Sequence, residues 1–143
     1  MPLLLNDGIY PALWSPTDTE GRLQSEDLRS NIGFLCRAGI DGVLALGTTG
    51  EFLRLEMAER KRILEKIIEF SGDLPVIANI SHIRLEVVDA LGRHAAGAGA
   101  VAVAILPPYF YPMAQEDLVE FFVRGAEAAP CPWCFTTFPN GPD

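Results

Sequence analysis

Residues 38–43 read AGIDGV, and residues 96–101 nearly repeat them as AGAGAV. Each stretch follows a helix-favouring segment and runs into an apolar segment that favours a strand. The glycines stand where a helix has to end and turn, because glycine accepts the left-handed backbone conformation that such a turn needs. The repeated junction predicts a helix-to-strand module that recurs along the chain.

Apolar runs and amphipathic helical segments alternate on both sides of these junctions. The runs predicted to form strands are residues 9–14, 42–46, 75–80, 100–106 and 133–138. The segments predicted to form helices are residues 25–38, 56–70, 85–96 and 115–129. Most strand candidates are almost continuously apolar, as strands of a parallel sheet covered on both faces should be. The alternation predicts the α/β class, with a parallel sheet built from βα units.

The second helix, residues 56–70, indicates how the helices pack on that sheet. Its apolar stripe consists of Ile63, Leu64, Ile67 and Ile68. The charged residues predicted to cover its remaining, solvated surface are Glu59, Arg60, Lys61, Arg62 and Glu65. This pattern is typical of a helix with one face on a sheet, and Gly72 is expected to end it.

Charge and cysteine content limit the classes of partner. The 143 residues carry a net charge of -8 without any Lys/Arg-rich run, which argues against nucleic acid and against an anionic membrane. The first residues show no basic segment, no long apolar segment and no cleavage site, so the expected compartment is the cytoplasm. Three cysteines do not make a disulfide framework. A small molecule is the expected partner.

Two loops that follow predicted strands carry candidate functional groups. Residues 47–51 read GTTGE, where several N–H groups and two hydroxyls can converge on a small anion such as a carboxylate. The alternative is a tight turn with a threonine helix cap. Residues 107–112 read PPYFYP, a rigid loop that presents phenolic groups. Aromatic packing without a functional role is the alternative there.

Together these motifs resemble the dihydrodipicolinate synthase and N-acetylneuraminate lyase family. GTTGE after the second strand is followed by PPYF after the fourth and by a fifth strand that ends in Phe138-Pro139, and the resemblance runs from Gly8 to Asn140. It implies an α/β fold of the (βα)8 TIM-barrel type, with this chain covering roughly the first four βα units and the fifth strand. It also implies a Schiff-base lyase or aldolase that acts on pyruvate or another 2-keto acid, uses no cofactor or metal, and assembles as a homotetramer.

The resemblance assigns roles to the first of the two loops. Thr49, with the backbone of its neighbours Thr48 and Gly50, is expected to hold the carboxylate of the substrate. The Thr48 hydroxyl is expected to take part in a proton relay with tyrosines. These three residues are therefore the candidate substrate-binding group, and Thr48 is also a candidate catalytic residue.

The second loop matches the family less well. The relay of relatives often uses the second aromatic residue of this loop, reaching into a neighbouring subunit, and here that residue is Phe110. A phenyl ring has no proton to pass on, so Tyr109 and Tyr111, which flank it, are the remaining candidates. Synthases of the family also tend to place an arginine where this chain has Gly141, which leaves the aldehyde specificity open.

The implied chemistry needs a buried lysine with a lowered pKa, whose amine attacks the ketone of pyruvate. The chain has two lysines, Lys61 and Lys66, both expected on the solvated side of the second helix. In relatives the nucleophile stands on the sixth strand, and a closed barrel usually takes about 250 residues. The expectation is a single incomplete barrel domain, residues 1–143, that is truncated and inactive alone. A non-catalytic half barrel that binds a small carboxylate or assembles with another half is the alternative.

Residues 131–137 read CPWCFTT, where relatives have an aliphatic strand that ends in Tyr-Asn. A CxxC redox protein is a remote alternative. Such cysteine pairs work at a helix N-terminus, whereas β-branched residues and prolines follow this pair. The two cysteines with His82 and His94 also lack zinc-ligand spacing. Read one base earlier, codons for the segment permit Val-Pro-Val-Val-Leu-Tyr-Asn, so we interpret it as a local change of reading frame. The catalytic tyrosine of the family then belongs at Thr136, and resequencing the gene tests this interpretation.

Overall fold

The computed structural model describes residues 5–109, 112–128 and 132–135. Helices and strands alternate along the chain, as predicted. The helices are α1 (Ser25–Arg37), α2 (Met57–Ser71), α3 (Leu85–Ala98) and α4 (Gln115–Ala128), and the strands are β1 (Val43–Ala45), β2 (Val76–Asn79), β3 (Ala102–Ile105) and β4 (Trp133–Phe135). A short 3-10 helix, Phe52–Arg54, precedes α2. Within the described ranges, every helix is too short or too polar to span a lipid bilayer.

The four strands form one parallel sheet in the order β1-β2-β3-β4. Val43 lies opposite Val76 across the first pair, and Ile77 lies opposite Ala102 across the second. Helices α2, α3 and α4 each connect two neighbouring strands, because parallel neighbours can be joined only by a crossover connection. The carboxyl ends of all four strands therefore meet at one edge of the sheet.

The predicted first strand, residues 9–14, lies parallel to β1 at the outer side of the sheet. It pairs with β1 at a single position, Ala12 opposite Leu44. Leu13 N–H donates to Leu44 O at 2.9 Å, and Leu44 N–H donates to Pro11 O at the same distance. Proline has no N–H to offer a second ladder bond. The prediction was right about the position of this segment and wrong about the length of regular strand in it.

The two faces of the sheet carry different clusters of buried side chains, because side chains alternate between faces along a strand. The helix-covered face contributes Val43, Ala45, Val76, Ala78, Val103 and Ile105 to the main core. In that core they join the α2 stripe, of which Ile63, Leu64 and Ile67 are buried. The opposite face carries a smaller cluster of Ile77, Ala102 and Ala104, packed by Leu5, Tyr10 and Leu44. In an α/β barrel this second face is the interior.

Two details differ from the sequence predictions. Helix α3 continues to Ala98 because Gly99, not Gly97, takes the left-handed conformation, with φ 104°. Arg60, predicted on the solvated side of α2, is buried, with 3% of its surface exposed. The equivalent turn before β1 has Gly39 at φ 73°, so the glycine turns of the repeated junction are confirmed.

Candidate functional site

The GTTGE turn follows β1 at the carboxyl edge of the sheet. Leu46 at its start has φ 58° and Glu51 at its end has φ 54°, so two residues with side chains adopt the left-handed conformation. Thr48 and Thr49 are exposed between them, and Glu51 N–H donates to Thr48 O at 3.0 Å. Gly50 is buried, and a Cβ there would lie 3.1 Å from Leu46 Cα. The turn is therefore tight and presents both hydroxyls at this edge.

Asn79 and Ser81 connect this turn to the loops after β2 and β3. Asn79 Nδ2 donates to Leu46 O at 2.7 Å. The Ser81 hydroxyl donates to Asn79 Oδ1 at 2.5 Å and accepts from Leu106 N–H at 2.8 Å. Both side chains are buried, where hydrogen bonds are shielded from competition by water. The ends of three consecutive strands are thereby fixed relative to one another.

Arg60 reaches the same place from α2. Its Nη1 donates to Ser81 O at 3.0 Å and its Nη2 donates to Asn79 O at 2.9 Å. It takes part in none of the ion pairs found within the described ranges. Burial lowers the pKa of Arg60 to about 10, so the guanidinium is protonated at neutral pH. A buried cation held by carbonyl oxygens is costly, because none of the described carboxylates pairs with it to offset its desolvation.

Aromatic residues cover this arginine. The Phe52 ring lies 5.1 Å from the guanidinium carbon of Arg60, and Tyr109 meets Phe52 edge to face with ring centres 6.2 Å apart. Tyr109 keeps 38% of its surface exposed. Tyr109 therefore packs on an aromatic neighbour and is also partly accessible, while Phe110 and Tyr111 lie outside the described residues.

The structure thus brings Thr48, Thr49, Gly50 and Tyr109 to one edge of the sheet. The other predicted site residue, Thr136, is not among the residues that the structure describes, and neither is Cys131, on which the redox alternative depends. The described residues contain no group of three or more His, Cys, Asp or Glu side chains placed to hold a metal ion. The sequence prediction missed Arg60, Asn79 and Ser81, although polar residues at the end of an apolar strand were a signal for the last two.

The two lysines lie on α2, the helix that follows the GTTGE turn, and not in the turn itself. Lys66 Nζ pairs with Glu69 Oε2 at 2.7 Å, and its side chain is 42% exposed. Lys61 is partly exposed on the same helix, and its backbone carbonyl lies 3.3 Å from His94 Nε2. Helix α2 packs on the outer face of the sheet, so neither lysine belongs to the cluster on the inner face.

Residues 5–139 match the model of the dihydrodipicolinate synthetase family. The chain belongs to this family. A 4-hydroxy-tetrahydrodipicolinate synthase of Methanopyrus kandleri is 36% identical over 136 residues, which are 94% of this chain and 45% of the relative. Family membership and the parallel βα units agree on the fold, which is the TIM-barrel fold of these proteins.

Solved structures of family members superpose closely on the chain. A prophage protein of E. coli K12 that belongs to the dihydrodipicolinic acid synthase family, solved in complex with pyruvate, has a TM-score of 0.88 and 28% identity. The match covers 92% of this chain and 45% of that protein. The catalytic lysine mutant of the sialic acid aldolase from Ruminococcus gnavus has a TM-score of 0.82 and 27% identity, over 90% of this chain and 43% of the aldolase.

The chain spans less than half the length of the curated family members it matches. The described strands correspond to the first part of the family barrel, in which successive strands are neighbours. The GTTGE turn, the end of β2 and the loop after β3 therefore occupy the face of the family fold where active sites of TIM barrels are built.

Proposed function

We propose that this chain carries the substrate-carboxylate site of a Schiff-base lyase that acts on pyruvate or another 2-keto acid. Membership of the family and the pyruvate complex of a family member support the proposal. The observation that carries it is the exposed Thr48-Thr49 pair in a tight turn at the carboxyl edge. A carboxylate accepts several hydrogen bonds at once, and such a turn offers hydroxyl and backbone donors together.

In this proposal the Thr49 hydroxyl and the N–H groups around Gly50 bind the carboxylate of the keto acid. Binding at this end fixes the ketone carbon in position for attack by an amine. The attack gives a carbinolamine, and loss of water from it to form the iminium requires a proton. The Thr48 hydroxyl passes that proton on together with a tyrosine, and Tyr109 is the candidate among the described residues.

The amine is proposed to belong to a part of the complete barrel outside residues 1–143. Lys66 is engaged with Glu69, and both lysines lie on the helix that covers the outer face of the sheet. A nucleophilic lysine in such enzymes has to be desolvated and to face the substrate. The complete protein is further proposed to be a cytoplasmic homotetramer that takes a small-molecule substrate and needs no cofactor.

A second candidate function is a half barrel that binds a small carboxylate without catalysis. The position of Lys61 and Lys66 on α2 favours it, because the described residues then contain a carboxylate site with no lysine beside it. The two candidates predict the same binding and differ in covalent chemistry.

Reductive trapping separates the two candidates. We expect pyruvate and borohydride to add a covalent adduct to the protein expressed with any coding sequence that follows residue 143. Residues 1–143 alone should gain none, because only an amine in the site forms a reducible iminium. Mass measurement of both products checks this. An adduct on Lys61 or Lys66 would contradict the proposed source of the amine, and a complete protein without any adduct would favour the binding candidate.

The carboxylate site itself is tested by a matched pair of substitutions. Thr49→Val removes one hydroxyl at constant shape and should weaken pyruvate binding about tenfold, as expected for a lost hydrogen bond to a charged group. Thr19→Val makes the same change at an exposed position of another loop and should leave binding unchanged. Calorimetric titration with pyruvate measures both. Equal affinities of the two variants would refute the role of Thr49.

A further inference from the structure

We propose that Arg60 is a positioning residue, which holds the GTTGE turn in its binding conformation through Asn79 and Ser81. The inference rests on the proposed function, since it concerns the same turn. It extends that function to a side chain on α2 that touches neither threonine.

The turn needs contacts from outside because the residue that leads into it, Leu46, is strained. Leu46 carries a side chain and yet has φ 58°, a conformation that is unfavourable for a residue other than glycine. Its side chain is almost fully buried, so it cannot leave this conformation without disturbing the core. The direction of the Leu46 carbonyl sets the start of the turn, and Asn79 Nδ2 is bound to that carbonyl at 2.7 Å.

Asn79 can hold Leu46 only if its own backbone is fixed. Residue 79 ends β2, and residues 80–82 lie outside regular secondary structure. Arg60 donates to the carbonyl oxygens of both residues with the two nitrogens of one planar group. A guanidinium presents its donors in a rigid fork, so it sets the spacing of these two carbonyls. The fork therefore fixes the backbone from which the Asn79 side chain reaches the turn.

The charge of Arg60 strengthens this link. Hydrogen bonds from a cation to carbonyl oxygens are stronger than those between neutral groups, and Phe52 lies over the guanidinium. The Nε atom of Arg60 is buried without a hydrogen-bond partner among the described residues. Packing alone would be better served by an apolar side chain at this position. The two carbonyl contacts are what distinguishes the arginine from a residue that only fills space.

Hydrogen exchange of the turn tests the inference. In the full chain, Arg60→Met should speed amide exchange of residues 46–50 about tenfold, the effect expected for loss of charge-assisted hydrogen bonds. Exchange in the core of α3, residues 87–91, should stay the same. Arg60→Lys keeps the charge but has a single donor nitrogen in place of the planar fork, so it should give an intermediate value. Arg62→Met, at an exposed position of the same helix, is the matched control and should change neither segment.

Three results would overturn the inference: unchanged exchange of the turn in Arg60→Met, equal acceleration in both segments, or a turn in Arg60→Lys that exchanges as fast as in Arg60→Met. If Arg60→Met does not fold, Asn79→Ala removes the hydrogen bond from Asn79 to Leu46 O and should affect the turn in the same way. Pyruvate affinity measured in parallel should fall about tenfold. If the unaltered chain binds no pyruvate while exchange responds as expected, the proposed function fails and the positioning role stands.

Discussion

The positive charge of Arg60 also acts on His82, which follows β2 in the loop at the same edge of the sheet. Burial lowers the pKa of His82 below 6.5, and the charges of Arg60 and Arg84 lower it further. A histidine that resists protonation in the folded state favours unfolding in acid, because the unfolded chain takes up the proton first. Its contribution to stability is therefore complete above pH 6.5 and is lost as the pH falls below that value.

Removing the charge of Arg60 should raise the pKa of His82. In Arg60→Met the part of the shift that Arg60 causes disappears while that of Arg84 stays, and any water admitted to the loop reduces the desolvation part as well. Arg62→Met removes an equal charge from the same helix and should have a smaller effect, since Arg62 is not among the groups that shift His82. NMR titration of the imidazole measures both variants. A His82 titration midpoint that is the same in both would show that Arg60 does not act on it.

The buried arginine also shows where prediction from the sequence stopped. Arg60 stands three residues before Ile63 and four before Leu64, so helical periodicity alone places it on the apolar stripe. Because it is charged, it was predicted to lie on the solvated surface, and that prediction was wrong. The carbonyls that accept from it belong to residues 79 and 81, and no pattern within α2 reveals that they lie above this turn of the helix. The burial of Arg60 therefore depends on contacts between segments that are distant in the sequence.

At the scale of elements, the GTTGE turn depends on the packing of its last glycine. The turn folds back so closely that Gly50 faces the backbone of Leu46 and of Leu13. The sequence indicated a tight turn here because glycines flank the threonines. It did not indicate that residues 46 and 51 would take the left-handed conformation, since neither is a glycine or an asparagine. The backbone geometry of the candidate site was therefore less predictable than its residues.

Gly50→Ala should distort this turn. The new Cβ would lie 3.1 Å from Leu46 Cα and 3.2 Å from Leu13 O, and backbone atoms cannot move aside cheaply, so we expect a loss of about 1–3 kcal/mol. Gly97→Ala is the control, since nothing lies within 4 Å of that position in α3 and alanine should stabilise the helix by about 0.5–1 kcal/mol. Thermal or urea unfolding measures both, and pyruvate titration reports the turn. Equal stabilities would mean that the turn has more room than its geometry indicates.

For the whole molecule, the alternation of apolar runs and amphipathic segments was sufficient to predict the α/β class and the order of the elements. Every described strand lies inside a predicted one, and β1, β2 and β3 are shorter than predicted, as β2 at Val76–Asn79 shows within residues 75–80. Apolar residues continue beyond both ends of the hydrogen-bonded strand, because the residues that begin the adjoining turns are buried as well. The apolar composition of a segment indicates that it is buried. How many of its residues form strand hydrogen bonds depends on the neighbouring strand.

The described sheet has exposed apolar surface on both flanks. Beside β1, Ile9, Trp14 and Phe34 are each more than half exposed, and on α4 the same is true of Val119 and Val123. Two of these, Val119 and Val123, are four residues apart on one face of their helix. In a closed barrel, further βα units cover such flanks. Residues 1–143 produced alone are therefore expected to associate, since apolar patches and open sheet edges favour contacts between copies.

Phe34→Glu should weaken this association. Phe34 is 64% exposed on α1, and burying an aromatic side chain of this kind between copies contributes about 2 kcal/mol, so its replacement by a charge should raise the dissociation constant at least about tenfold. Thr19→Glu introduces the same charge at an exposed position of a loop outside α1 and should have little effect. Sedimentation velocity over a range of concentrations measures both variants. If the unaltered chain sediments as a monomer at every concentration and melts in one cooperative transition, it is stable with its apolar flanks exposed. The predicted association is then wrong.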